Sequence, residues 1–380
     1  MTTSASQTQE RKKPSFWENQ KIIKKKAIAK KAHKKRIPLN DITLYCQQLS
    51  AMIEAGLPLV GAMSALEEQI ENPYFKVVLR DVRRDVAGGN NLSSAAKKFP
   101  KTFPPLFISM VEAGEASGQL GSIMGKISLY FEETVKLNKK VKGALTYPLT
   151  VIGLAAAMVV VLMIFVIPIF SEMFTDFGAK LPSATLILIG TSNFLKHNIL
   201  FIVLGCGGIY YLLKRFFKSS KGRLIKDKII NHGPIIRNIS KKVYLSRFCR
   251  TYSILTRSGV PILQTLDICK SVSNNTYIEA ACKDFAKEVS KGGQLSDAMK
   301  NANYFPSLIE RMAKAGEQAG NVEQMMDKIA DFYDVEVETS INSLTSLMEP
   351  LFITVLGLII GAIVMAMFLP IFKLSSVVAQ

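Results

Sequence analysis

Histidine is scarce in this 380-residue chain, and its cysteines are not paired by spacing. Three histidines (His33, His197, His232) and five cysteines (Cys46, Cys206, Cys249, Cys269, Cys282) lie scattered, with no CxxC among them. No zinc-ligand spacing can be assembled from such a set, and the cysteines read as small buried hydrophobes in a reducing compartment. No phosphate-binding loop of the Gly-x4-Gly-Lys-Ser/Thr type occurs, which excludes a P-loop motor. Gly-Glu-Ala-Ser-Gly around Ser117 lacks both the spacing and the preceding strand of a nucleophile elbow. Alternating apolar and polar runs of useful length are missing too, so strands are not expected. The first residues are polar and then basic without an apolar core, so no cleavable signal is expected and the amino terminus should stay in the cytoplasm. With no phosphate loop, no activated nucleophile and no general base, the chain is expected to be no enzyme, with no catalytic, cofactor-binding or metal residues.

What is present is apolar sequence and positive charge. Hydrophobic residues make up 48% of the chain although 21% of it is charged, so long apolar runs must alternate with strongly polar segments. Most of the net charge of +18 comes from one stretch, Arg11 to Arg36, which holds twelve Lys or Arg against the single acid Glu18. Residues 1–37 therefore read as a basic tail without fixed structure, suited to an anionic lipid surface or an acidic protein. Phe16 and Trp17 are its only aromatics, both near its edge, which argues against nucleic acid as its partner.

No charge interrupts the chain between Lys142 and Glu172 or between Glu349 and Lys373. Each interval exceeds the roughly 20 residues that cross a ~30 Å hydrocarbon core, so residues 147–170 and 348–372 are expected to span a membrane. A third span is expected at 199–217, with Lys214 and Arg215 snorkelling to the interface. Residues 171–198 read as an external loop with an interfacial helix over 181–195, because that stretch is short and carries Ser183, Thr185, Thr191, Ser192 and Asn193. The basic run after Phe217 places that side in the cytoplasm. Three spans, a cytoplasmic amino terminus and a short external tail at 373–380 follow.

Shifted by 202–203 residues, the chain aligns on itself. Ala55-Gly56-Leu57-Pro58 meets Ser258-Gly259-Val260-Pro261, and Phe103-Pro104 meets Phe305-Pro306. Ala113-Gly114-Glu115 with Gly118 meets Ala315-Gly316-Glu317 with Gly320; Pro148 meets Pro350, and Pro168-Ile169-Phe170 meets Pro370-Ile371-Phe372. Such punctuation repeated over more than a hundred positions marks an internal duplication, with cytoplasmic units at 38–146 and 218–347. Each unit is expected to be a bundle of short helices. Ile42, Tyr45, Leu49, Met52 and Ile53 form one helical stripe, Gly56 and Gly259 supply left-handed caps, and Pro58 and Pro261 open the next helices. The Ala-Gly-Glu-x-x-Gly pair reads as a helix–helix turn, with Gly114 or Gly316 for the reversal and Glu115 or Glu317 capping free amides. Gly118 and Gly320 are expected to open long helices that enter the membrane through Pro148 and Pro350, where each proline bends its helix.

The doubled unit, the Ala-Gly-Glu-x-x-Gly turns, Leu145-Thr146-Tyr147-Pro148 and the Pro-Ile-Phe exits together resemble the GspF/PilC family over about residues 38–372. These are inner-membrane platform proteins of type IV pilus and type II secretion machines, and Phe177 to Pro182 look more like the pilus branch. The resemblance implies a homo-oligomer docked on a hexameric cytoplasmic ATPase, coupling its motion to prepilin extraction and filament assembly alongside other inner-membrane assembly proteins. Many members carry a folded segment ahead of the first repeat, where this chain has its basic tail. A transporter or channel subunit would need polar residues within its spans, and neither the first span nor the third from Pro350 onward carries a charged one. A membrane-anchored nucleic-acid binder is the other alternative, resting on the lysine-rich tail alone.

Overall fold

The computed structural model describes residues 35–169, 183–217, 219–273, 275–302 and 304–378, and every regular element among them is a helix. In the first repeat these are α1 (Leu39–Glu54), α2 (Leu59–Gln69), α3 (Pro73–Ala87), α4 (Leu92–Lys97), α5 (Pro105–Ser117) and α6 (Leu120–Val161). Next come α7 (Ser183–Phe216) and α8 (Ser220–His232). The second repeat follows as α9 (Pro234–Arg257), α10 (Ile262–Ser273), α11 (Thr276–Ser290), α12 (Leu295–Asn301), α13 (Ser307–Ala319) and α14 (Val322–Val378).

The expected stripe of α1 buries Ile42, Tyr45 and Leu49, with Cys46 completing the same face at helical spacing. Gly56 ends the helix at φ +86°, donating to the Ile53 carbonyl while Leu57 donates to that of Met52, the paired bonds of a left-handed cap. Gly259, at φ +81°, repeats both bonds after α9. Pro58 lies one residue earlier than expected: it is the N-cap of α2, and its carbonyl accepts the first helical bond, from Ala62. Pro261 does the same ahead of α10 through Thr265.

Each bundle closes over a cluster of rings. In the first, Tyr45 meets Phe75 edge-on at 5.7 Å and Phe103 stacks on Phe107 at 4.7 Å. In the second, Phe248, Phe285 and Phe305 pack edge to face, with centroids 5.1–6.2 Å apart. Cys46 and Cys249, one repeat apart, are buried without a disulfide, as are Cys269 and Cys282; burial pushes all four thiols up, that of Cys282 to about 12. Glu67 is also buried. Burial opposes its ionisation, but hydrogen bonds and charge from Arg83 and Arg80, at 2.8 and 2.9 Å, outweigh that and hold the carboxyl below its ordinary range.

The two bundles are not independent. One compact unit joins the described part of Met1–Val135 with Phe248–Asn274 and Ile278–Lys328. Leu255, Val260 and Ile268 of the second copy complete the core of the first, and the Tyr130 hydroxyl shares a buried 2.9 Å hydrogen bond with Thr251.

The other unit takes Lys136–Arg247, Asn275–Tyr277 and the described chain from Ile329. Among the described residues two helices are long and apolar enough to cross a membrane, one over Leu120–Ile169 and one over Val322–Met365. The first continues α6 through a π-helical turn at Leu162–Val166, a wider turn that puts carbonyls out of helical register. One of these, on Met163, accepts a hydrogen bond from the buried hydroxyl of Ser192 on α7.

The expected interfacial helix over 181–195 and the expected span at 199–217 share one continuous helix, since α7 runs for 34 residues. Polar side chains near its middle are met by carbonyls, Ser192 by that of Met163 and two others by the helix itself. Thr191 donates to the Ile187 carbonyl at 2.8 Å and Asn198 to that of Phe194 at 3.0 Å, so neither needs water to satisfy it. The Pro-Ile-Phe exit at residue 170 and the Phe177–Pro182 loop lie outside the described residues.

Candidate functional site

In each copy the motif Ala-Gly-Glu-x-x-Gly stands where a short helix hands over to the long one. Its glycines divide the work differently from expectation. Gly114 and Gly316 are helical residues inside α5 and α13, not the reversal. The left-handed turn is made by Gly118 at φ +68° and Gly320 at φ +69°. Gln119 and Asn321 then donate to the carbonyls of Gly114 and Gly316, at 2.9 and 2.8 Å, which closes the turn.

Gly114 and Gly316 are needed for space. A Cβ on Gly114 would stand 3.1 Å from the Ile123 side chain, and one on Gly316 would stand 2.7 Å from the backbone Cα of Val322. The short helix therefore lies hard against the first turns of the long helix that follows it. Missing side chains, not missing backbone strain, are what these two positions supply.

Glu115 caps amides as expected, but those of a helix more than twenty residues upstream. Its Oε1 accepts from the Leu92 amide at 2.5 Å, and its Oε2 accepts from the amide and hydroxyl of Ser93 at 3.3 and 2.5 Å, all at the start of α4. Glu317 treats α12 alike, accepting from the amides of Leu295 at 2.6 Å and Ser296 at 3.3 Å. A carboxylate is favoured there because a helix start carries partial positive charge and unpaired donors. One side chain thus pins the start of the fourth helix of the bundle to the end of the fifth.

The copies differ at the serine. Ser93 gives its hydroxyl to Glu115, whereas the buried hydroxyl of Ser296 has no hydrogen-bond partner among the described residues. Ser93→Ala is accordingly expected to cost about 1 kcal/mol, and Ser296→Ala to be neutral or slightly stabilising, since it removes an unsatisfied polar atom. Urea unfolding of the two purified variants checks the pair, and equal effects would contradict the asymmetry.

Further contacts fix the starts of the long helices, and these were not singled out from sequence. In the first copy Gly121 and Gly125, four residues apart on α6, admit α1: a Cβ on Gly121 would meet Glu54 at 3.1 Å, and Ser50 donates to the Gly121 carbonyl at 2.8 Å. A small-x-x-x-small spacing was the available signal. The second copy replaces close packing by charge, with Arg250 and Arg257 of α9 both 3.2 Å from Asp327 of α14. Farther down, Lys140 meets Glu338 and Lys242 meets Glu336, each at 2.7 Å. Pro148 and Pro350 lie within α6 and α14 and do not end them. At that level the two helices border a groove of about 600 Å³, lined by Tyr147, Val151 and Ala155 on one side and by Leu351, Phe352 and Val355 on the other.

Nothing in this arrangement assembles reactive groups, and among the described residues no three His, Cys, Asp or Glu come together as metal ligands would. It holds helices at a set angle. The class so defined is an all-helical, internally duplicated protein in which each copy ends in a helix able to cross a membrane.

Within that class, the chain belongs to the GspF/PilC family. Residues 45–168 and 248–370 each match the family described as type II secretion system (T2SS), protein F, so the family unit occurs twice, 203 residues apart. The chain is 34% identical to the type IV pilus assembly protein PilC of Pseudomonas aeruginosa, over 94% of this chain and 96% of that one. It is 35% identical to the PilC of Myxococcus xanthus, over 89% and 81%. With the type II secretion system protein F of Vibrio cholerae it shares 31%, over 92% and 86%.

Proposed function

We propose that the chain is the inner-membrane platform of a type IV pilus assembly machine, coupling a cytoplasmic hexameric ATPase to prepilin extraction and filament assembly. One observation carries the reading: in both copies the fifth helix of the bundle lies hard against the first turns of a long apolar helix at Gly114 and Gly316, and Glu115 and Glu317 pin that fifth helix to the fourth. A bundle fastened in this way passes a rotation or a push into the membrane without absorbing it in a loose joint. The higher identity to the pilus proteins than to the secretion protein supports the pilus branch. Energy comes from the partner ATPase, and the chain has no turnover of its own. The same reading includes three spans (147–170, 199–217 and 348–372), a cytoplasmic amino terminus, self-association, and contacts with prepilins and with other inner-membrane assembly proteins.

Loss of the chain is expected to abolish surface filaments while the prepilins remain in the membrane. The purified chain should bind the ATPase of the same machine and hydrolyse no ATP alone. Topology is checked with single cysteines in a chain whose five native cysteines are replaced. The exposed positions 71 and 271, near Asn72 and Asn275, should be shielded from an impermeant maleimide in spheroplasts, and position 176 should react. Filaments that persist without the chain would sink the proposal, and labelling at 271 but not at 176 would sink the three-span topology.

A further inference from the structure

Beside α1 and the α2–α3 turn, the first bundle carries a cleft of about 750 Å³. Asp41, Leu44, Tyr45, Glu71 and Tyr74 line it, and Lys35 stands at its rim with Nζ 3.8 Å from the centre of the Tyr74 ring. One feature marks it as a seat for another element: Leu44 is 52% exposed in its wall, beside the buried ring of Tyr45.

The repeat indicates what belongs there. In the second copy Tyr244 and Asn275 stand where Asp41 and Asn72 stand in the first, and each pair is hydrogen-bonded. Beside the second pair lies α8, the helix that precedes the repeat, and its Asp227, 3% exposed, accepts from the Thr276 amide at 2.9 Å.

The chain ahead of Lys35 carries the pattern of α8. Ile22-Ile23-Lys24-Lys25-Lys26-Ala27-Ile28 aligns with Leu224-Ile225-Lys226-Asp227-Lys228-Ile229-Ile230, two apolar pairs flanking Lys-x-Lys. The one change in charge is matched at the receiving end. Thr276 becomes Pro73, which has no amide to cap, and Asn72 already accepts from the next two amides, those of Tyr74 and Phe75. A lysine at position 25 leaves no donor unmet, and the carboxylates of Asp41 and Glu71 suit it.

We propose that residues 22–34 dock in this cleft as the first copy's counterpart of α8, with their apolar pairs on Leu44 and Tyr45 and their lysines toward Asp41 and Glu71. The six residues from Ala29 to Lys34 can extend about 20 Å, ample to reach from the rim. Docking of this kind draws the basic segment away from anionic lipid and onto the first bundle.

Cysteine cross-linking of the full-length protein tests this. Ile28→Cys is paired with Leu44→Cys in the cleft or, as a control, with Leu129→Cys, which is 62% exposed on α6. Under mild oxidation in neutral detergent, the cleft pair should form a monomer-sized product roughly tenfold faster than the control, because docking raises the local concentration. Adding Glu71→Lys should slow it roughly threefold, the scale of one exposed charge pair. Equal rates for the two pairs would overturn the proposal. So would a product found only at dimer size, which would make a second copy the occupant. Loss of the cleft product on transfer to phosphatidylglycerol–phosphatidylethanolamine vesicles would overturn it as well, in favour of a lipid-bound tail.

Discussion

Gly316→Ala is expected to destabilise the second bundle by about 2 kcal/mol, while Gly114→Ala leaves the first within about 1 kcal/mol of the parent protein. Two terms compete at each position. Alanine in place of a helical glycine gains roughly 1 kcal/mol of helix propensity, and a misfitting methyl costs roughly 1–3. At Gly114 the new methyl meets the Ile123 side chain at 3.1 Å, which can give by a few tenths of an ångström, so the terms nearly cancel. At Gly316 it meets the Val322 Cα at 2.7 Å, and only a shift of α13 against α14 relieves that. Clash wins there. The buried thiols of Cys249, Cys269 and Cys282 report the opening of the second bundle, so the temperature at which they become reactive should fall in Gly316→Ala and hardly move in Gly114→Ala. If the two variants behave alike, the closer approach in the second copy is not real. Valine, larger and β-branched, should be severe at both sites. If the fastening transmits force, Gly316→Ala should insert into the membrane and still lower filament output.

Glu115→Ala and Glu317→Ala should each cost about 2–4 kcal/mol, because each strands two amides at a buried helix start, at roughly 1–3 kcal/mol per unsatisfied group. Leu92 and Leu295 are among the most buried residues of their bundles, so water cannot easily replace the carboxylate. Glutamine is not the mild substitution that a single-acceptor cap would allow. Both oxygens of Glu115 accept, so an amide can satisfy one donor while its own NH2 group confronts the other. Glu115→Gln should therefore fall between the parent and Glu115→Ala, and Glu317→Gln likewise. Denaturant midpoints of the four variants give the order. A glutamine variant as stable as the parent but unable to support filaments would instead make the carboxylate a binding group.

What could be read from sequence follows from how local a signal is. The left-handed glycines at 56 and 259 and the amphipathic face of α1 act within five residues of themselves, and they are visible because chain sterics and helical period need no distant partner. The duplication was visible for the same reason: identical local devices recur in order, and the family matches fall on the same two stretches. Each misreading concerned a partner set by packing. Gly114 and Gly118 look alike in a string of letters, and only the approach of Ile123 shows that one supplies space and the other the turn. Glu115 was expected to cap a helix start, but the sequence did not say which; it reaches back to Leu92 because stacking α5 on α4 brings that start within reach. The polar residues of 181–195 suggested a separate interfacial helix, but carbonyls satisfy Thr191 and Ser192, that of Ile187 in the same helix and that of Met163 across from it, and α7 runs on. Nothing in the sequence shows that Leu255, Val260 and Ile268 of the second copy finish the core of the first. Sequence alone determined the helices, their caps and the repeat, since those are short-range consequences of backbone geometry. Tertiary structure decided which atoms the caps and small residues serve, since burial removes water as a partner and leaves only what the fold brings within reach.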